Sequence, residues 1–245
     1  MEPLDAAAAS GDSINGLSSL FMVDMDTYAH GASLGFQGVD FYVAGRAGVL
    51  GDVPADVVTA AFVFFNPTTI AGAWERSAPV MSRAEAAEAF IAVGHRWAEA
   101  KLPDDLDLAR LAELAGRLAA SASPAAAPLF AAWRAAPKPA ADQTKALALH
   151  RMNVLRELRG GLHGAAVVTQ GIDAHAAVNL RTPFMLPVFG WAEPHPDPAD
   201  VKAAWKVAQA NTDLAIAPAY EALDPAERAE FVELVNATQA AVTGA

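Results

Sequence analysis

The chain has 245 residues, no cysteine, and 28 acidic against 17 basic residues, for a net charge of −11. That length allows one large domain or two small ones with a substantial core, and the absence of cysteine removes disulfides, thiol nucleophiles and thiolate metal sites. Duplex binding needs clustered Lys and Arg to displace counterions from phosphate; here basic residues are spread with no run longer than two, so the charge argues against nucleic acid and anionic membrane as partners.

No stretch of eighteen uncharged apolar residues marks a membrane span. The opening MEPLDAAAASGDS lacks the basic start and apolar core of a signal peptide. Together with the missing cysteines this points to the cytoplasm, and residues 1–12 read as a disordered, solvated lead-in. Alternating β-branched segments are absent while alanine-rich stretches with helical spacing recur, so the expected class is all-α. Residues 13–36 read as helix interrupted around 24–26. Gly38 is a natural helix end and Asp40 a natural N-cap for FYVAGRAG. The PADV from Pro54 opens a helix that meets the turn signal Asn66-Pro67. Helices follow over 68–76 and 82–101, the latter with a Ser82/Glu85 capping box, and an amphipathic one over 107–120. Residues 121–141, proline- and alanine-rich around a short helix with Phe130 and Trp133, read as a semi-rigid linker between an N-terminal unit (13–120) and a C-terminal unit (142–245). A strong helix over 142–159 is expected to end at Gly160-Gly161. The proline-rich 183–198 cannot be regular helix and is expected to cross the surface or lid a cavity. Helices over 199–223 and 225–242, the last capped by Asp224, close the chain.

One stretch occurs twice. HGASLGFQGVDFYVA (30–44) and HGAAVVTQGIDAHAA (163–177) share His30/His163, Gly31/Gly164, Gln37/Gln170, Gly38/Gly171 and Asp40/Asp173, and PADV follows each. Two echoes in one order indicate a helix–turn–helix unit used twice, which supplies a histidine from each half. His163 is then a general base, an oxyanion partner or a metal ligand, or a ring satisfied structurally; the same alternatives hold for His30. At helical spacing His150, Asn153 and Glu157 share a face, and Arg156, Arg159 and His163 share another if the helix continues through the glycines. Glu157 is an ion-pair partner, or it orients a histidine while Arg156 binds a carboxylate. Arg46, among small residues, is a buried ion-pair partner or an anion clamp. Phe62, Phe64, Phe65 and Asn66 are core plus a capped turn, or a pocket wall. His95 is expected on an exposed face, His175 beside the cavity, and His195 on the lid.

The Ala44-Gly45-Arg46-Ala47 run, Phe65-Asn66-Pro67, and Leu155-Arg156-Glu157 with Arg159-Gly160 and His163 together resemble an actinobacterial, winged-helix-related family of helix-turn-helix-like proteins, over roughly residues 28–235. Members of that family usually read L-R-E-H-R-G-D-x-H at the last segment; Leu158 and Gly161 stand here for the histidine and aspartate, and His30 stands where members usually lack a histidine. The resemblance implies two packed helix-turn-helix units. The winged segment expected after Gly190-Trp191 reads as reduced or absent, and with it a usual phosphate contact.

No Walker, G-x-G-x-x-G or H-E-x-x-H motif is present, and the one G-x-S-x-G string, Gly31 to Gly35, lies in expected helix with no strand before it and so makes no nucleophile elbow. The favoured expectation is an enzyme of specialised metabolism, with His30, His163 and Glu157 moving protons or ligating a cofactor. In it Arg46, Arg156, Tyr42, Phe64, Asn66 and His175 hold an apolar or aromatic anion. The alternatives are a ligand-responsive transcription regulator, in which one repeat unit reads DNA, and a haem or metal carrier using His30 and His163. A homodimer is compatible with any of them.

Overall fold

A computed structural model of the chain describes residues 1–244, in which helices are joined by loops and short 3-10 turns, with no strand among the described residues. The all-α class holds. Helix α1 (Pro3–Val23) begins almost at once, with Pro3 in the first turn, where a missing N–H is not needed. Its Ala6, Ala7, Ser10, Gly11, Ile14, Leu17 and Phe21 are buried. The lead-in expected over 1–12 is therefore a packed helix. Its alanines carry little hydropathy contrast, yet their small size lets α1 lie close to its neighbours, with Gly11 against the Arg159 side chain.

Asp24 ends α1 and caps α2 (Met25–Ser33) by accepting from the Asp26 N–H. There follow α3 (Asp40–Ala47), α4 (Ala55–Ala61), α5 (Pro67–Ser77), α6 (Arg83–Lys101) and α7 (Leu108–Ser121). The Ser82/Glu85 capping box forms as read, and Asn66 and Asp107 cap α5 and α7. Helix α8 (Pro128–Ala135) lies in the stretch read as a linker, but it sends Phe130 and Trp133 fully into the core. Then come α9 (Thr144–Thr169), α10 (Ala174–Arg181), α11 (Lys202–Ile216) and α12 (Pro225–Thr243), the last opened by a second capping box, Asp224/Glu227.

The spine is α9, 26 residues and so about 39 Å long, packed against α1, α6, α7, α8 and α11. It does not stop at Gly160-Gly161. Glycine weakens a helix by about 1 kcal/mol relative to alanine but does not forbid it, and here the missing Cβ atoms admit close neighbours. A Cβ on Gly161 would stand 2.8 Å from Ala127 Cα, and one on Gly164 would stand 2.8 Å from Val63 Cγ2. Burial around α9 joins residues from both ends of the chain in one apolar cluster; a smaller one gathers Val167, Ile172, Ala177 and Ala208 beside Phe64 and Trp205.

Each copy of the repeated stretch runs helix, left-handed glycine, helix, with φ 49° at Gly38 and 65° at Gly171. Asp173 caps α10 through the Ala176 N–H. Asp40 caps nothing. It is buried and accepts from Arg76 Nε (3.1 Å) and Nη2 (2.7 Å) instead.

Candidate functional site

Tyr42 and Arg46 stand one turn apart on α3, so their side chains share a face, and that face meets α9 at Glu157. Arg46 Nε and Nη2 donate to Glu157 Oε1 and Oε2, both at 2.8 Å, and Nη1 donates to the Tyr42 hydroxyl at 3.0 Å. Arg156 Nη1 adds a third bond to Glu157, at 2.8 Å, while its Nε reaches Ser19 Oγ. The Phe62 ring lies 4.3 Å under the Arg46 guanidinium, and Trp133 Nε1 donates to the Arg46 carbonyl. Arg46 is 8% exposed and Glu157 1%. Burial would push the Glu157 carboxyl up, but Arg46 and then Arg156 outweigh it and hold the group below the ordinary carboxylate range. Glu157 in turn raises Arg46 despite burial. All three groups stay charged, leaving one positive charge in excess.

Arg46 and Glu157 form the polar end of a cleft of about 240 Å³. Its floor is a stripe of α9, Gly161, Gly164, Ala165 and Val168, at the i, i+3, i+4, i+7 spacing of one helix face. Its walls are Ala60, Ala61 and Val63 from the end of α4, and residues 126–129 from the loop into α8. Ala126 on that loop holds φ 59°, a region costly for a residue with a Cβ. Reading Gly160-Gly161 as a helix end hid this floor; the small-residue spacing was the signal that would have found it.

The other site residues named from the sequence lie elsewhere. His30 is half-buried, edge-on to Phe41 at 6.0 Å. His163 packs between Phe64 and Trp205 with Nδ1 2.9 Å from Thr212 Oγ1, and burial, then Arg159 and Arg181, pull it down to about 4. Neither imidazole lines the cleft, and each is held in its own packing environment. Among the described residues no group of three or more His, Cys, Asp or Glu could hold a metal ion. Phe64 belongs to the His163 cluster, and Asn66 accepts from the Thr68 N–H as a cap. Continuation of α9 does bring Arg159 and His163 to one face, where they bond Asp213 and Thr212 of α11; Arg156 turns to Glu157 and Ser19. His150, Asn153 and Glu157 are buried together as spaced. His95 is not exposed: it is half-buried with Nε2 3.3 Å from His150 Nδ1.

The proline-rich segment after α10 folds back over it. His175 stacks on Trp191 (4.8 Å, 9° between planes), its Nε2 lies 2.9 Å from His195 Nδ1, and Asn179 donates to the Pro196 carbonyl. Beyond this strap, Arg181 is exposed with its guanidinium 5.8 Å from the Trp205 ring, and Lys202 and Lys206 flank Trp205 on α11. Among the described residues, these three cations enter no ion pair or side-chain hydrogen bond. Most other basic residues do: Arg110 and Arg117 bind Glu227, and Arg134 and Arg151 bind backbone carbonyls.

No helix among the described residues is long and apolar enough to cross a membrane. A family model described as a helix-turn-helix family matches residues 7–200. Comparison with curated proteins and with solved structures gives no match. The family match overturns the expectation of an enzyme of specialised metabolism built on a histidine pair, and the separate packing of His30 and His163 is the physical side of that correction. It also runs against setting nucleic acid aside on net charge, which counts cations without locating them.

Proposed function

The chain belongs to the helix-turn-helix family, and on that footing we propose that it is a ligand-responsive DNA-binding regulator. In this reading α9, the turn through Gly171 and α10 form the unit that meets DNA, and the Arg46–Glu157 cleft is the sensor site. One observation carries the choice of unit: the unpaired cations Arg181, Lys202 and Lys206 gather beside α10. The first unit offers no counterpart, since Asp40, Phe41, Val43, Ala44, Gly45, Arg46 and Ala47 of α3 are all buried. With the wing reduced, phosphate contact falls to these three side chains. The cleft floor lies on the helix that leads into the DNA-facing turn, so a ligand on Gly161–Val168 acts about one to three turns from Gly171.

Fluorescence anisotropy with duplexes from the DNA flanking its own coding region, between about 50 and about 200 mM salt, tests this. Three phosphate contacts give a slope of log K against log salt of about −2.7 per protomer. Arg181→Ala should make that slope shallower by about one, whereas Arg96→Ala, an exposed cation on α6, should leave it unchanged. Absence of salt-dependent binding, or equal effects of the two variants, refutes the reading.

A further inference from the structure

Building on the cleft as a sensor site, we infer that its ligand is a small apolar acid: a carboxylate on a one-ring or short hydrocarbon body, held by Arg46. A guanidinium carries five N–H donors. Arg46 directs three of them to Glu157 and Tyr42, and two have no acceptor among the described residues although the side chain is only 9% exposed and lines the cleft. Each Arg46 nitrogen makes one bond, and the spare N–H on Nη1 and on Nη2 can donate to a ligand oxygen that enters the cleft.

The sign of the ligand follows from the neighbours. Glu157 already takes three charge-assisted hydrogen bonds from Arg46 and Arg156, and the cluster keeps one positive charge more than it has negative. An amine would meet that excess as repulsion, and a neutral amide would leave it uncompensated. A carboxylate supplies both acceptors and the missing charge.

Size follows from the walls. Apart from the polar end, the cleft is made of Val63, Ala127, Leu129 and Val168 over a floor with no side chain larger than valine. An apolar cavity of about 150 Å³ holds benzene, and drug-sized ligands fill roughly 300–1,000 Å³. At about 240 Å³ the cleft suits one ring with a short tether.

The test is calorimetry on the whole protein without DNA, using 3-phenylpropanoate and octanoate, their primary amides, and 3-phenylpropylammonium. Both acids should bind, each at least about tenfold more tightly than its amide, a factor set by one charge-assisted pair, with no heat from the ammonium. Ala165→Phe, at an exposed position on the cleft floor, should abolish acid binding with the fold intact by circular dichroism. The proposal is overturned if neither acid binds, if amide and acid bind alike, or if Ala165→Phe leaves affinity unchanged. Repeating the anisotropy assay with saturating acid separates the two readings. Acid binding without any DNA binding defeats the regulator but leaves the site; DNA binding without acid binding does the reverse.

Discussion

Gly160 and Gly161 are adjacent on α9, and alanine at either raises helix propensity by the same amount, about 0.8–1.0 kcal/mol. Their surroundings are opposite. A Cβ on Gly160 has nothing within 4 Å, whereas one on Gly161 would lie 2.8 Å from Ala127 Cα and Cβ and 3.0 Å from the Ala126 carbonyl oxygen. Ordinary carbon contacts sit at about 3.5–4.0 Å, so Gly161→Ala forces backbone, not a flexible side-chain tip, to retreat. Overpacking of that kind costs about 1–3 kcal/mol. The net expectation is a gain of about 1 kcal/mol for Gly160→Ala, a rise in Tm of about 2–4 °C for a chain of this length. For Gly161→Ala the balance runs from near zero to a loss of about 2 kcal/mol. Urea and thermal unfolding of the two variants beside the parent read the difference, and the sign matters more than the size. If Gly161→Ala stabilises as much as Gly160→Ala, the 126–129 loop does not rest on α9, and the cleft loses a wall.

Glu157→Gln leaves the buried Arg46 and the partly covered Arg156 without a counter-charge and should cost about 3–5 kcal/mol, read by urea unfolding; the pair Arg46→Met with Glu157→Leu should lose less than Glu157→Gln alone, and a loss under about 1 kcal/mol for the single variant contradicts the buried pair. Burial holds both His150 and His163 down at about 4, so the unfolded chain takes up protons that the folded one refuses. Their contribution is complete above the unfolded value near 6.5 and shrinks as pH falls toward 4, by up to about 1.4 kcal/mol per pH unit for each. Thermal unfolding at about pH 7.5 and about pH 5 should show a lower Tm in acid and a flatter dependence in His163→Gln; a level Tm across that window would mean the rings are not buried neutral.

What could be read in the sequence is what local chemistry decides. Asn66, Ser82 and Asp224 each start a helix where a side-chain oxygen can take an orphan N–H, and the structure uses all three, whereas Asp40, read the same way, turns to Arg76. The 100° step of a helix placed His150, Asn153 and Glu157 on one face before any partner was known. Partners are another matter. Arg46 and Glu157 are 111 residues apart, and nothing local distinguishes a buried ion pair from two separate surface charges. Alanine misled in the opposite direction, since α1 buries a face too bland to register as amphipathic.

The repeated stretch shows where reading identities fell short and reading differences would have gone further. Gly38 and Gly171 recur because each turn needs a left-handed residue after its helix; the repeated Asp and His take different partners in the two copies. What the second helix does is set by the positions that changed. In the first copy Asp40 is followed by Phe41, Tyr42 and Val43, and side chains that size on successive positions make a helix apolar nearly all round, one that must be buried. Phe41 fills the crossing with α2 so tightly that a Cβ on Gly31 would sit 2.7 Å from it. In the second copy the same positions are Ala174, His175 and Ala176. Only Ala176, Ala177 and Val178 are buried; His175 and Asn179 are half-buried under the strap, and Arg181 is exposed. A helix that surrounds itself with core cannot enter a groove, and one with an apolar stripe and polar outer positions can. The substitutions between the copies thus separate a fully buried helix from a half-buried one, and in the proposed reading it is the second, beside the unpaired cations of α10 and α11, that meets DNA.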